Sequence, residues 1–105
     1  MLRLYNFVEA RERLQTVVRK TRLIHSDIFS LETTNDIYIK PENLQLTGSF
    51  KIRGAYNKMA KLTEEEKSLG VITSSAGNHA QGVALAGKKL GIKSVIVMPK
   101  YTPLI

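Results

Sequence analysis

A chain of 105 residues with 16 Lys and Arg against nine Asp and Glu, a net charge of +7, has room for one small domain with a modest core. It holds no Cys, which excludes thiol catalysis and Cys-ligated zinc; it has no apolar run of about 18 residues to span a membrane, and its start, "MLRLYNFVEARER", lacks a signal-peptide pattern. The bases are interleaved with apolar residues at helical spacing in "RERLQTVVRKTR" and sit at a helix end in "GKKLGIK", so they read as solvated faces, and the expectation is a cytoplasmic protein with neither nucleic acid nor membrane as partner.

Asn6 followed by Glu9 has the spacing of a capping box, and Phe7, Ala10, Leu14, Val17 and Val18 then share one face, which predicts a helix running to about Lys20. A connecting stretch with "LIHSDIFSLE" leads to "DIYIK", Asp36 to Lys40, which has strand composition and stops at Pro41. From Ser49 onward Ile52, Ala55, Met59 and Leu62 keep spacings of three and four, a second amphipathic helix. Thr63 and Glu66 form another capping-box pair, opening the short charged helix "EEEKSL" that Gly70 closes. "VITS" is a strand, "AGNHAQGVALAGKKLG" a helix whose small residues suit close packing on a sheet, and "KSVIVMP" a strand ended by Pro99. The order α–β–α–α–β–α–β, with crossover lengths that suit parallel strands, predicts a three-layer α/β fold. After it, "PKYTPLI" is a loop with no element to follow, and so small a parallel sheet needs more strands and helices on both faces.

One residue raises a functional question. Lys51, in "KPENLQLTGSFKIRGA", stands in the first turn of a helix beside Phe50. A helix N-terminus and an apolar neighbour both disfavour an ammonium ion, which is the environment a Schiff-base lysine needs; the plainer alternative is an exposed first-turn lysine.

"ENLQLTGSFKIRGA" resembles the pyridoxal-phosphate (PLP) attachment motif of the serine/threonine dehydratases, the fold-type II PLP enzymes that include threonine ammonia-lyase. "SSAGNHAQG", Ser74 to Gly82, is similar to the family's second landmark, and "RKTRLIHS" and "VIVMPKYTP" extend the likeness over nearly the whole chain. The resemblance implies a parallel-sheet fragment of the tryptophan synthase β-like fold, with PLP as cofactor. It implies that Lys51 forms the internal aldimine and then removes the Cα proton, that Phe50 packs near the cofactor, and that Asn78 hydrogen-bonds the phenolic oxygen of its ring. The backbone N–H groups of Ser75, Ala76, Gly77, Asn78 and His79 would hold the substrate carboxylate, a role that a Ser/Gly-rich turn entering a helix also suits on physical grounds. Plainer readings stand beside these: Asn78 and Ser49 as caps, His79 bonding only backbone, His25 as structural, and Arg53 in a structural ion pair. Arg22 stands where the family often has proline.

The expectation is therefore residues 1–105 as the incomplete N-terminal portion of a threonine or serine dehydratase. The complete enzyme would be a homo-oligomer converting L-threonine to 2-oxobutanoate and ammonia, in biosynthesis or catabolism. The family's Gly-rich phosphate loop would lie beyond Ile105, leaving this chain with part of the pocket, inactive and marginally stable alone. Two rivals are a serine racemase-like enzyme and a non-catalytic remnant. Racemisation needs a second acid–base group opposite the lysine, which in serine racemases is a serine immediately before "GNH"; here that position is Ala76.

Overall fold

The spacing of Ile52, Ala55 and Met59 defines the buried stripe of a helix, and that stripe meets a second helix to make the core. The computed structural model describes residues 1–103. In it α3 (Lys51–Met59) buries Ile52, Ala55 and Met59 against Val83 and Ala86 of α5 (Asn78–Leu90), with Ile92 closing the cluster and Leu62 packed at its edge. Ile52 and Ala86 are wholly shielded from solvent. The last two residues of the loop expected at "PKYTPLI" lie outside the described residues.

Around this pair the elements follow local chemistry. The short helix α4 (Glu64–Leu69) has the predicted capping box: Thr63 Oγ1 accepts from Glu66 N–H at 3.1 Å, and Glu66 Oε2 accepts from Thr63 N–H at 2.8 Å. Gly70 ends it at φ +83°, where a Cβ would stand 2.7 Å from the Lys93 carbonyl oxygen, so both the backbone angle and the space demand glycine. Strand β3 (Val71–Ser74) pairs in parallel with β4 (Ser94–Val97), Val71 opposite Ser94 through Ser74 opposite Val97. The crossover is α5, which lies on one face of this sheet; Gly87 lets it approach, since a Cβ there would collide with Ser94 and sit 2.8 Å from the Ile92 oxygen.

Three expectations about the first forty residues are corrected. Helix α1 is Leu4–Leu14, beginning before Asn6 and ending well short of Lys20. Asn6 is its third residue, not its cap: Asn6 Oδ1 accepts from Arg3 N–H at 2.9 Å, while Glu9 pairs with Arg13 one turn on. The helix stops where Thr16, Val17 and Val18 bring β-branched crowding and where the Arg19 backbone is taken by Gln45, as described below. The "connecting stretch" contains β1 (Ile24–His25) and α2 (Asp27–Thr33), capped by Ser26. Within "DIYIK" the strand is β2 (Tyr38–Ile39), which pairs antiparallel with β1 in a separate ribbon and does not join the parallel sheet. Thr34, left-handed at φ +53°, ends α2, and Ser30 Oγ accepts Ile37 N–H at 2.9 Å, so the chain turns straight back on itself. His25 is structural, bonded to Asp27 and Ser30 and edge-on to Tyr38. No described helix is long and apolar enough to cross a membrane.

Candidate active site

Lys51 is delivered by a loop held at several points. After β2 come two 3-10 turns, Glu42–Leu44 and Leu46–Gly48. Between them Gln45, only 3% exposed, uses its amide as a strand would use its backbone: Oε1 accepts Arg19 N–H at 2.8 Å and Nε2 donates to Arg19 O at 2.9 Å. Thr47 and Gly48 then both take left-handed angles, φ +65° and +66°. For a β-branched residue this is strained by about 1–3 kcal/mol, and Thr47 Oγ1 is buried without a partner among the described residues. Ser49 is buried and its Oγ accepts from Lys51 N–H at 3.4 Å, but the N-cap of α3 is Phe50, so Ser49 is not the helix cap it was expected to be.

Arg53, two residues after Lys51, does form the structural ion pair expected of it. Its Nε and Nη2 grip Glu42 Oε2 and Oε1, both at 2.8 Å, and Thr21 Oγ1 donates to Glu42 Oε1 at 2.6 Å. The guanidinium hydrogen bonds pull the Glu42 carboxyl down to about 2 against the opposing effect of burial, with Thr21 and Lys40 assisting. The Arg53 guanidinium is held still more firmly protonated by the same carboxylate.

The other wall is the start of α5. Ser75 N–H donates to Val97 O at 3.0 Å, extending the sheet ladder, and Ser75 Oγ then turns to accept from Gly77 N–H at 3.3 Å and Ala80 N–H at 3.2 Å. Of the five amides expected to face a carboxylate, Ser75's is thus in the sheet and Gly77's rests on a hydroxyl. Those of Ala76, Asn78 and His79 carry no protein acceptor among the described residues, and all three residues are exposed. They are unpaired donors at the positive end of a helix of 13 residues, a setting for an anion.

Gly82 joins the two walls. A Cβ there would lie 3.0 Å from the Lys51 carbonyl carbon and 3.1 Å from Lys51 Cβ, so α5 touches α3 at the lysine itself. Asn78 is one turn earlier on the same face of α5, about 6 Å along the axis. Lys51 is half-buried, and its Nζ stands 4.8 Å from the centroid of the exposed Phe50 ring. The neighbour expected to disfavour the ammonium is itself exposed and instead gives it a cation–π contact. The arrangement offers a primary amine beside an aromatic face, and a cluster of anion-seeking amides at the helix start one turn before the Gly82 contact. These suit the aldehyde, ring and substrate carboxylate of a PLP enzyme.

Sequence reasoning missed Gln45, Glu42 and the Gly82 contact. The small residues of α5 were legible, but Gly82 serves α3 whereas Gly87 serves the sheet. A groove of about 610 Å³ between α1 and Arg53 is lined by Phe7, Ala10 and Leu14 and does not include Lys51.

A family model described as pyridoxal-phosphate dependent enzyme matches residues 14–104. The chain is 57% identical over 104 residues to the L-threonine ammonia-lyase of Thermotoga maritima, covering 99% of this chain and 26% of that protein. Among solved structures, serine racemase from Dictyostelium discoideum superposes with a TM-score of 0.90 at 39% identity, covering 97% of this chain and 33% of that one. The processed form of threonine deaminase isoform 2 from Solanum lycopersicum superposes with a TM-score of 0.82 at 45% identity, covering 94% and 29%. The chain thus spans between a quarter and a third of the length of these relatives.

Proposed function

Since the chain belongs to the pyridoxal-phosphate dependent enzymes, we propose that it is the N-terminal portion of a cytoplasmic dehydratase that converts L-threonine, or L-serine, to the 2-oxoacid and ammonia. The observation that carries the reading is the placement of Lys51 at the start of α3, against Gly82 and beside the open N-terminus of α5.

In the complete enzyme PLP supplies an electron sink for the charge left on the substrate Cα. Lys51 Nζ would hold the cofactor and, once free, would accept the Cα proton. The N–H groups of Ala76, Asn78 and His79 would hold the substrate carboxylate, and the Asn78 side chain would help to hold the cofactor ring. Phe50 shields one side of the amine. The β-hydroxyl would then leave with a proton as water, and hydrolysis of the released enamine would give 2-oxobutanoate and ammonia from threonine.

The likeness to a serine racemase structure supports a second reading, racemisation. Ala76 favours elimination, because its methyl cannot deliver a proton to the side of Cα opposite Lys51.

The test uses this chain joined to the downstream portion of the Thermotoga maritima relative. Borohydride reduction in the presence of PLP, followed by peptide mapping, should place the label on Lys51. Label on Lys58 or Lys61 with Lys51 free would overturn the reading.

A further inference from the structure

The first turn of α3 is poorly anchored at its own end. Phe50, its N-cap residue, makes no side-chain capping bond, the Ser49 hydroxyl is 3.4 Å from Lys51 N–H, and the loop before it runs through two left-handed residues. Nothing within the turn itself sets how far α3 is rotated about its axis. Burial of Ile52, Ala55 and Met59 holds the helix against α5 but tolerates small rotations.

Two contacts grip this turn from opposite sides. Gly82 meets it at Lys51. Arg53, about 200° around the helix from Lys51, is held by Glu42 through two bonds of 2.8 Å. Glu42 is in turn fixed by Thr21 Oγ1, and Lys40 Nζ donates to the Thr21 carbonyl at 2.9 Å. The pair is largely shielded, with side chains 29% and 16% exposed, and the guanidinium fork makes it directional. It therefore ties α3 to the segments that follow α1 and β2.

We infer that Glu42 and Arg53 are positioning residues: their ion pair sets the rotation of α3, and with it the direction in which Lys51 presents its amine. The inference rests on the reading of Lys51 as the PLP-bearing lysine. The pair acts only through the helix, since Arg53 faces away from the amine.

Arg53→Lys keeps the charge and loses the fork; Glu42→Gln keeps the shape and loses the charge; Arg53→Ala removes the contact. In the chain joined to the downstream portion of the Thermotoga maritima relative, kcat for threonine should fall about 10- to 100-fold in Arg53→Lys and Glu42→Gln, with KM changed less than about threefold. The fraction of borohydride-trapped PLP on Lys51, relative to Lys58 and Lys61, should fall with it. Amides of residues 51–53 should exchange roughly tenfold faster while those of Val83 to Ala86 in α5 stay protected. Arg53→Ala should be at least as impaired as Arg53→Lys. Unchanged trapping on Lys51 with unchanged exchange of the first turn would overturn the inference. So would faster exchange spread equally over α3 and α5, which marks a merely structural pair. If the unmutated protein is not labelled at Lys51, the functional reading fails instead, and exchange in the first turn of α3 alone decides whether the pair fixes that turn.

Discussion

Gly82 lies against Lys51 so closely that a Cβ on the glycine would stand 3.0 Å from the lysine carbonyl carbon and 3.1 Å from both its Cβ and the Ile52 nitrogen. Two of these three atoms are backbone and the third is bonded to it, so a side chain at 82 can be accommodated only by moving one helix relative to the other. Gly82→Val should destabilise the protein by about 2 kcal/mol or more, the sum of overpacking and a β-branched residue inside a helix. Gly82→Ala should cost less, because better helix propensity offsets part of the crowding. Denaturant midpoints at constant slope measure both.

Gln45 makes three hydrogen bonds while almost wholly buried, to Arg19 N–H, Arg19 O and Leu46 N–H. Gln45→Leu leaves the Arg19 groups and the Leu46 amide without their partner, and should destabilise by about 2–4 kcal/mol. Faster amide exchange at Arg19 and Leu46 would locate the loss.

Glu42 titrates at about 2 because Arg53 binds its charged form. A carboxyl whose folded value is depressed contributes stability above its unfolded value, near 4.5, and loses it as pH falls toward 2. The contribution is about 1–3 kcal/mol, with solvent screening favouring the lower end. Urea melts between pH 6 and pH 2.5 should show the loss, and Glu42→Gln should flatten that part of the profile.

Ala76 stands exposed immediately before Gly77. In the chain joined to a downstream family portion, L-threonine and L-serine should give oxoacid with little D-amino acid, and Ala76→Ser should raise the racemised fraction. Chiral chromatography reads the ratio. Comparable racemisation and elimination in the unmutated protein would transfer the assignment to the racemase reading.

The free face of the parallel sheet carries Ile72, Val95 and Val97, at 73, 45 and 51% exposed. The 105-residue chain by itself should therefore bind apolar dyes or self-associate, with weak near-UV dichroism. A sharp cooperative melt of a monomer at low concentration would contradict this.

The sequence alone determined what depends on neighbours a few residues apart. The spacing of Ile52, Ala55 and Met59, the Thr63–Glu66 box and the glycine stop at Gly70 are all relations within one or two turns, where side-chain periodicity and backbone donors decide the outcome. The place of Lys51 in the first turn of its helix was legible for the same reason. Tertiary structure decided the rest. The path of the chain after α1 depends at Arg19 on an amide 26 residues away, the partner of β2 on a reversal at Thr34, and the role of Gly82 on which helix it faces. Glu42 and Arg53 are 11 residues apart with no single helix or strand spanning both, and meet only because the loop between them doubles back. Contacts of this kind join segments distant in the chain, which local pattern does not encode.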